Sequence, residues 1–341
     1  MNARKFGGSY DPAVHSFAPL LAVGFLALVP PAVPVAQTAT HPPIAEGTAS
    51  LHKPDGSVDV TYRYRLVEPP ASAIVDGKRV PLVVFLHGAG ERGDDNSAQL
   101  THFVGAAAGA EFQARAPCFI LAMQCPRDES WALIDLQAFR EKGVMPTFAL
   151  EPTKSMRSVM QAIDEVLVAR PIDHERIYLT GLSMGGFGAF DLAARRPHLF
   201  AAVIPICGGG DPATASRLIG VPFYIVHGSD DPVVPVQLSR AMRDAIKAAQ
   251  PKTSTPTTPM YREYEKVGHN SWTPAYRFGP DGVLDWMFNQ RRIASKPQPN
   301  PTPDRTPDPK SNPPPAQDPA ARQPTRGAID AANAARRDRI G

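Results

Sequence analysis

Short apolar runs recur along this chain with amphipathic stretches between them, and that rhythm predicts buried parallel strands separated by helices. Pro81 through Leu86, Phe119 through Met123, Arg176 through Thr180, Phe200 through Ile206 and Val221 through Val226 are largely apolar and rich in β-branched and aromatic residues. Such runs suit strands covered on both faces. Val58, Val60, Tyr62, Tyr64 and Leu66 instead alternate with polar residues, which predicts a half-exposed antiparallel strand at the N-terminal edge. Tyr261 through Val267 predicts the last strand. The intervening stretches predict an Ala-rich helix over 96–114 and a helix over 155–169 with Met156, Val159, Ile163 and Val166 on one face. Further helices are expected over 187–196, from near Pro235, and over about 281–291. The fold class is therefore α/β, a mostly parallel sheet with helices on both faces.

The two ends break this rhythm. Arg4 and Lys5 precede an uncharged apolar run, Phe17 through Val29, and small residues follow through Ala39. That order predicts an export signal over 1–39, and the run is too short to span a bilayer comfortably. Eleven of the thirty-eight prolines fall between Pro297 and Pro324, so 295–341 is expected to be an extended, disordered tail that builds no core. Between them lie an expected linker over 40–57 and one domain over 58–294. A net charge of +3 with no basic stripe gives no reason to expect nucleic acid. The cysteines number three, Cys118, Cys125 and Cys207, all at or beside apolar runs. Along one strand Cys118 and Cys125 would be about 23 Å apart, beyond disulfide reach. All three read as buried small hydrophobes, and no Cys or His stands at metal-ligand spacing, so neither metal nor cofactor is expected.

The chemistry concentrates where strands end. Gly181-Leu182-Ser183-Met184-Gly185 joins a strand to a helix, and Gly-x-Ser-x-Gly there forms a sharp elbow that lifts a serine hydroxyl out of the sheet. His87-Gly88-Ala89-Gly90-Glu91-Arg92-Gly93 follows the Pro81–Leu86 strand and lacks both the Lys-Ser/Thr of a phosphate loop and a dinucleotide spacing. It is better read as aiming backbone N–H groups at a developing oxyanion: Ala89 supplies one, with Gly90 in reserve, and Met184 the other. His87 is expected to brace this loop. Asp230 and Asp231 end one strand and His269 follows the last, giving the order Ser, Asp, His; composition alone does not choose between the two aspartates.

Over about Thr61 to Arg291 the chain resembles the α/β-hydrolase superfamily, and within it the secreted esterases related to polyhydroxyalkanoate depolymerases and the predicted-peptidase branch. The resemblance rests on His87-Gly88-Ala89-Gly90-Glu91-Arg92-Gly93, on Gly181-Leu182-Ser183-Met184-Gly185-Gly186, on His227-Gly228-x-x-Asp231-x-x-Val234-Pro235 and on Gly268-His269-x-x-Trp272. It implies Asp231 as the acid, four positions after His227. It also implies an acyl-enzyme mechanism with Ser183 as nucleophile and His269 as base, so activity should fall in acid, where a base imidazole is protonated. The connection from Cys207 to Val221 is too short for a large lid. An open site is expected, taking a small or polymer-attached carboxylic ester, with an activated peptide amide as the alternative.

Overall fold

The structure is a computed structural model that describes residues 44–251 and 258–292. The expected export signal and Pro-rich tail lie outside the described residues. The elements run β1 (Ile44–His52), β2 (Val58–Val67), β3 (Val80–Leu86), α1 (Val104–Ala107), α2 (Ala110–Arg115), β4 (Phe119–Met123), α3 (Leu136–Lys142), α4 (Lys154–Ala169), β5 (Ile172–Leu182), α5 (Met184–Arg195), β6 (Ala202–Ile206), β7 (Tyr224–Gly228), α6 (Gln237–Ala249), β8 (Met260–Tyr264), α7 (Trp272–Ala275) and α8 (Leu284–Asn289). They form one eight-stranded sheet in the order β1-β2-β4-β3-β5-β6-β7-β8. Both pairings of β2 are antiparallel, while β4 through β8 are joined in parallel across β3, β5, β6 and β7.

Alternation along β3 divides the core in two. Leu82, Val84 and Leu86 point to one face, where they join Met156, Val159 and Ile163 of α4 and Phe190 of α5. Val83 and Phe85 point to the other, with Val104 and Ala107 of α1 and Met287 of α8. A strand buried on both faces has to be apolar at every position, which is why its sequence reads as an unbroken run. The Thr153 hydroxyl accepts from the Met156 N–H at 3.0 Å and so starts α4. Pro171 follows its end.

Four expectations need correction. The segment 40–57 is not a linker throughout: it carries β1, which pairs with β2 from Ile44↔Val67 to His52↔Val58 and occupies the sheet edge expected of β2. Residues 96–114 do not form one helix. A 3₁₀ turn at Ala98–Leu100 ends in extended backbone at Thr101, His102 adopts a φ of 70°, and Gly109 is extended before α2. Alanine content raises helix propensity but supplies no apolar face long enough to hold one rod against the sheet. The expected Val221–Val226 strand begins only at Tyr224, since Pro222 has no N–H for the ladder and Phe223 makes an isolated bridge to Val203. The last strand ends at Tyr264, and Lys266, with a φ of 58°, turns the chain toward His269.

Between β6 and β7 the registered pairing is brief, Ile206↔Val226 together with that isolated bridge. The connection between these strands carries a 3₁₀ helix, Pro212–Leu218. Among the described residues no helix is long and apolar enough to cross a membrane.

Candidate active site

Ser183 sits between β5 and α5 with φ 54° and ψ −117°, a conformation few non-glycine residues adopt. Its N–H donates to Ile206 O at 2.9 Å, and its carbonyl accepts from the N–H of Gly186 at 2.8 Å. The elbow is held tightly enough that its glycines are obligatory. A Cβ on Gly181 would lie 2.3 Å from Gly185 O, and one on Gly185 would lie 1.9 Å from Leu86 O. The turn therefore crosses directly over the end of β3, which delivers the loop containing Ala89.

The imidazole of His269 stands between the serine and a carboxylate. Nε2 lies 3.0 Å from Ser183 Oγ, and Nδ1 lies 2.7 Å from Asp231 Oδ2. Nδ1–H thus donates to the carboxylate and leaves Nε2 free to accept the serine proton. The Trp272 ring meets the imidazole edge-on at 5.5 Å, fixing its plane. Asp231 Oδ1 accepts from the N–H groups of Val233 and Val234 at 2.8 and 2.9 Å. Burial alone would raise the pKa of this carboxyl, but hydrogen bonds from His227, His269, Val234 and Val233 outweigh it and hold the group well below the usual carboxylate range. Asp230 instead accepts from Ser229 Oγ at 2.6 Å, and its N–H donates to Val267 O at 3.0 Å, tying the acid loop to the His269 loop. Of the two adjacent aspartates, Asp231 is the one in contact with His269.

In the sequence His227 is no more than a landmark four positions before Asp231. It is fully buried, with Nε2 3.2 Å from Asp231 Oδ2 and 3.0 Å from Val234 O, and Nδ1 2.7 Å from Ser239 Oγ. Both neighbours of Nε2 are acceptors, so Nε2 carries a proton that faces Val234 O and, at the longer distance, the Asp231 carboxylate. The i,i+4 spacing was visible in sequence, but the curl of chain after β7 that brings the two side chains together was not. Cys207, with a φ of 41°, lies beneath the same group, and Cys207, Asp231 and His269 place one donor atom each within 4.8 Å of one another. Asp231 and His269 spend theirs on each other. All three cysteines are free and buried, and burial pushes the thiols of Cys118 and Cys125 up to about 12.

Ala89 and Met184 line one cavity with Ser183, and among the described residues no backbone acceptor takes either N–H. His87 braces this loop from below. Its Nδ1 lies 2.6 Å from Gly88 O, Nε2 accepts from the Cys125 N–H at 3.0 Å, and Trp131 Nε1 donates to His87 O at 2.9 Å. A second proton at Nε2 would oppose the Cys125 donor in a site closed to water. Burial accordingly lowers the pKa of His87 from 6.5 to about 4. Between those values the unfolded chain takes up a proton that the folded chain refuses. The contribution of this one group is therefore complete only well above pH 6.5, and roughly 3 kcal/mol of it is lost as the pH falls through 6.5 toward 4. Urea unfolding across that window should show the loss in the wild type and a flatter profile in His87→Gln.

The connection holding Trp131 forms the cavity wall, with Trp131 itself turned into the core. Glu129 anchors that wall: its carboxylate accepts from Tyr62 Oη at 2.8 Å and from the Ser155 N–H at 3.1 Å.

The matches to known proteins agree with this layout. A family model described as phospholipase/carboxylesterase matches residues 71–275, more than half of the chain. NocK of Nocardia uniformis subsp. tsuyamanensis, which carries a provisional esterase designation, is 27% identical over 215 residues, 61% of this chain and 57% of that protein. Feruloyl esterase D of Neurospora crassa is 32% identical over 87 residues, 26% of this chain and 29% of that protein. The crystal structure of a thermostable esterase shares 37% identity at a TM-score of 0.60, covering 73% of this chain and 63% of the other. In each case the chain spans less than two thirds of its relative. The family match, the elbow and the sheet order together show that this chain belongs to the phospholipase/carboxylesterase family of α/β hydrolases.

Proposed function

We propose that this chain is an exported serine hydrolase that cleaves carboxylic esters through an acyl-enzyme. The observation that carries the reading is the single imidazole within hydrogen-bond reach of both Ser183 Oγ and Asp231 Oδ2. Ser183 Oγ attacks the acyl carbonyl as its proton passes to His269 Nε2, and the Asp231 carboxylate stabilises the imidazolium. The N–H groups of Ala89 and Met184 receive the oxyanion. Collapse of the tetrahedral adduct expels the alkoxide, which takes the proton back from Nε2. Water, activated by the same nitrogen, then releases the acid and restores Ser183. Export rests on the Arg4, Lys5 and Phe17–Val29 pattern. An ester is favoured over a peptide amide because an alkoxide leaves with less demanding protonation than an amine.

A fluorophosphonate should label the protein stoichiometrically at Ser183, as read by peptide mass spectrometry; a folded protein that remains unlabelled refutes the reading. A polymer-attached ester is a second reading, favoured by the open cleft flanked by exposed Leu133 and Val233. Hydrolysis of a polymeric ester alongside its soluble monomer distinguishes the two.

His227 adds a test of the acid. Replacing it by phenylalanine keeps a ring and removes the N–H that faces a buried carboxylate, an effect of about 1–2 kcal/mol. The variant should lose about tenfold in kcat with KM little changed. An unchanged kcat would make His227 a packing residue only.

A further inference from the structure

We infer that the cavity beside Ser183 takes an ester whose apolar body ends in a carboxylate, and that Arg92 binds that carboxylate. This rests on the esterase reading above and names a substrate class within it. The cavity encloses about 360 Å³, and its apolar walls are Leu133, Ile134, Leu136, Phe187, Val233 and Val234. A single charged side chain lines it, Arg92.

That guanidinium is held but not neutralised. Nε donates to Ala89 O at 3.1 Å and Nη1 to Glu129 O at 3.3 Å, two main-chain carbonyls that fix its plane. The nearby carboxylates do not pair with it: Glu129 turns its own to Tyr62 and Ser155, and Glu91 sets one oxygen 3.3 Å from His102 and buries the other without a partner. Among the described residues no carboxylate lies within 4.0 Å of Arg92, and its Nη2 amino group has no protein acceptor. Ser130 Oγ donates to Ala132 O at 2.9 Å, so it offers the ligand no second donor.

Solvent satisfies such a cation only while the cavity is wet. A neutral apolar substrate displaces that water and leaves the guanidinium facing hydrocarbon, whereas a terminal carboxylate replaces the water with charge-assisted hydrogen bonds as the local dielectric falls. A half-exposed cation at the wall of an open cleft gains charge-assisted hydrogen bonds from a carboxylate seated against it and gains none from a methyl group. The same residue grips the carbonyl of Ala89, so the group that reads the substrate's far end also touches the loop proposed to hold the oxyanion.

The test compares esters matched in length and differing in one terminal charge: monobutyl adipate against butyl hexanoate on the acyl side, and 6-acetoxyhexanoate against hexyl acetate on the alcohol side. Near neutral pH the wild type should favour the anionic member of at least one pair by about tenfold in kcat/KM. In Arg92→Gln that ratio should fall to about one, while Arg92→Lys should retain part of it. Raising salt from about 0.02 to about 0.5 M should shrink the wild-type ratio, a measurement that stands even where a variant fails to fold. Ratios near one in both pairs overturn the proposal. So does an Arg92→Gln variant that loses the same factor on both members, which reduces Arg92 to a brace for Ala89. Turnover of the neutral esters and fluorophosphonate labelling report the esterase reading independently of these ratios.

Discussion

Ser183→Ala should lower kcat for a soluble ester by about 10⁵- to 10⁶-fold while leaving the fold intact. The loss is large because the proposed acyl-enzyme route runs through this one oxygen: His269 has no serine proton to accept, and the N–H groups of Ala89 and Met184 have no serine adduct to stabilise. Residual rate over water would come from binding and those donors alone. Folding should survive because the elbow is fixed by main-chain bonds, Ser183 N–H to Ile206 O and Gly186 N–H to Ser183 O, and by the close approach of Gly185 to Leu86 O. The measurement is steady-state hydrolysis beside a urea unfolding curve. A variant that retains most activity with an unshifted midpoint removes Ser183 from the mechanism.

Asp231→Asn should cost about 10³- to 10⁴-fold in kcat, and Asp230→Asn no more than a few-fold. The asymmetry follows from the hydrogen-bond pattern. Oδ1 of Asp231 is pinned by two N–H donors, so the carboxamide oxygen of an asparagine must occupy that place. Its NH₂ then falls where Oδ2 stood, facing Nδ1 of His269 and Nε2 of His227. Donor would meet donor unless His269 shifts its proton to Nε2. That tautomer presents a proton to Ser183 and cannot accept one. Asp230 accepts only from Ser229 Oγ, its main-chain N–H making the structural bond to Val267 O, so a side-chain amide there disturbs little. Parallel kinetics of the two variants give the ranking, and a reversal would transfer the acid to Asp230.

Much of this arrangement was legible in the sequence because it depends on local constraints. The crossing of β5, α5 and β3 leaves no room for a Cβ at Gly181 or Gly185, and that demand is written as Gly-x-Ser-x-Gly. The buried strands announced themselves through unbroken apolar runs. What escaped depends on pairing at a distance. The β1 sequence, Ile-Ala-Glu-Gly-Thr-Ala-Ser-Leu-His, has too few large apolar residues to read as a strand, and it forms one against a long partner ladder. The Ala-rich stretch after β3 carried a propensity that the turns at Thr101 and Gly109 override. Within the site, the strand-end positions of Ser183, Asp231 and His269 could be read from order. The family motif already pointed to Asp231 over Asp230, whereas the contact of His227 with Asp231 required the path of the loop after β7. The proximity of Arg92 to the cavity was likewise hidden, since a glycine-rich loop leaves the direction of its side chains open until Trp131 and Glu129 pack against it.

The short ladder between β6 and β7 has a consequence for how the proposed activity would be lost. Ser183 rides with β5 on one side of it, whereas Asp231 and His269 hang from β7 and β8 on the other. Slippage along that line would separate Ser183 from His269 while the larger block of strands and helices keeps its shape. Activity should then be lost at a lower urea concentration than the far-ultraviolet signal, and coincident loss of the two would show that the sheet gives way as one.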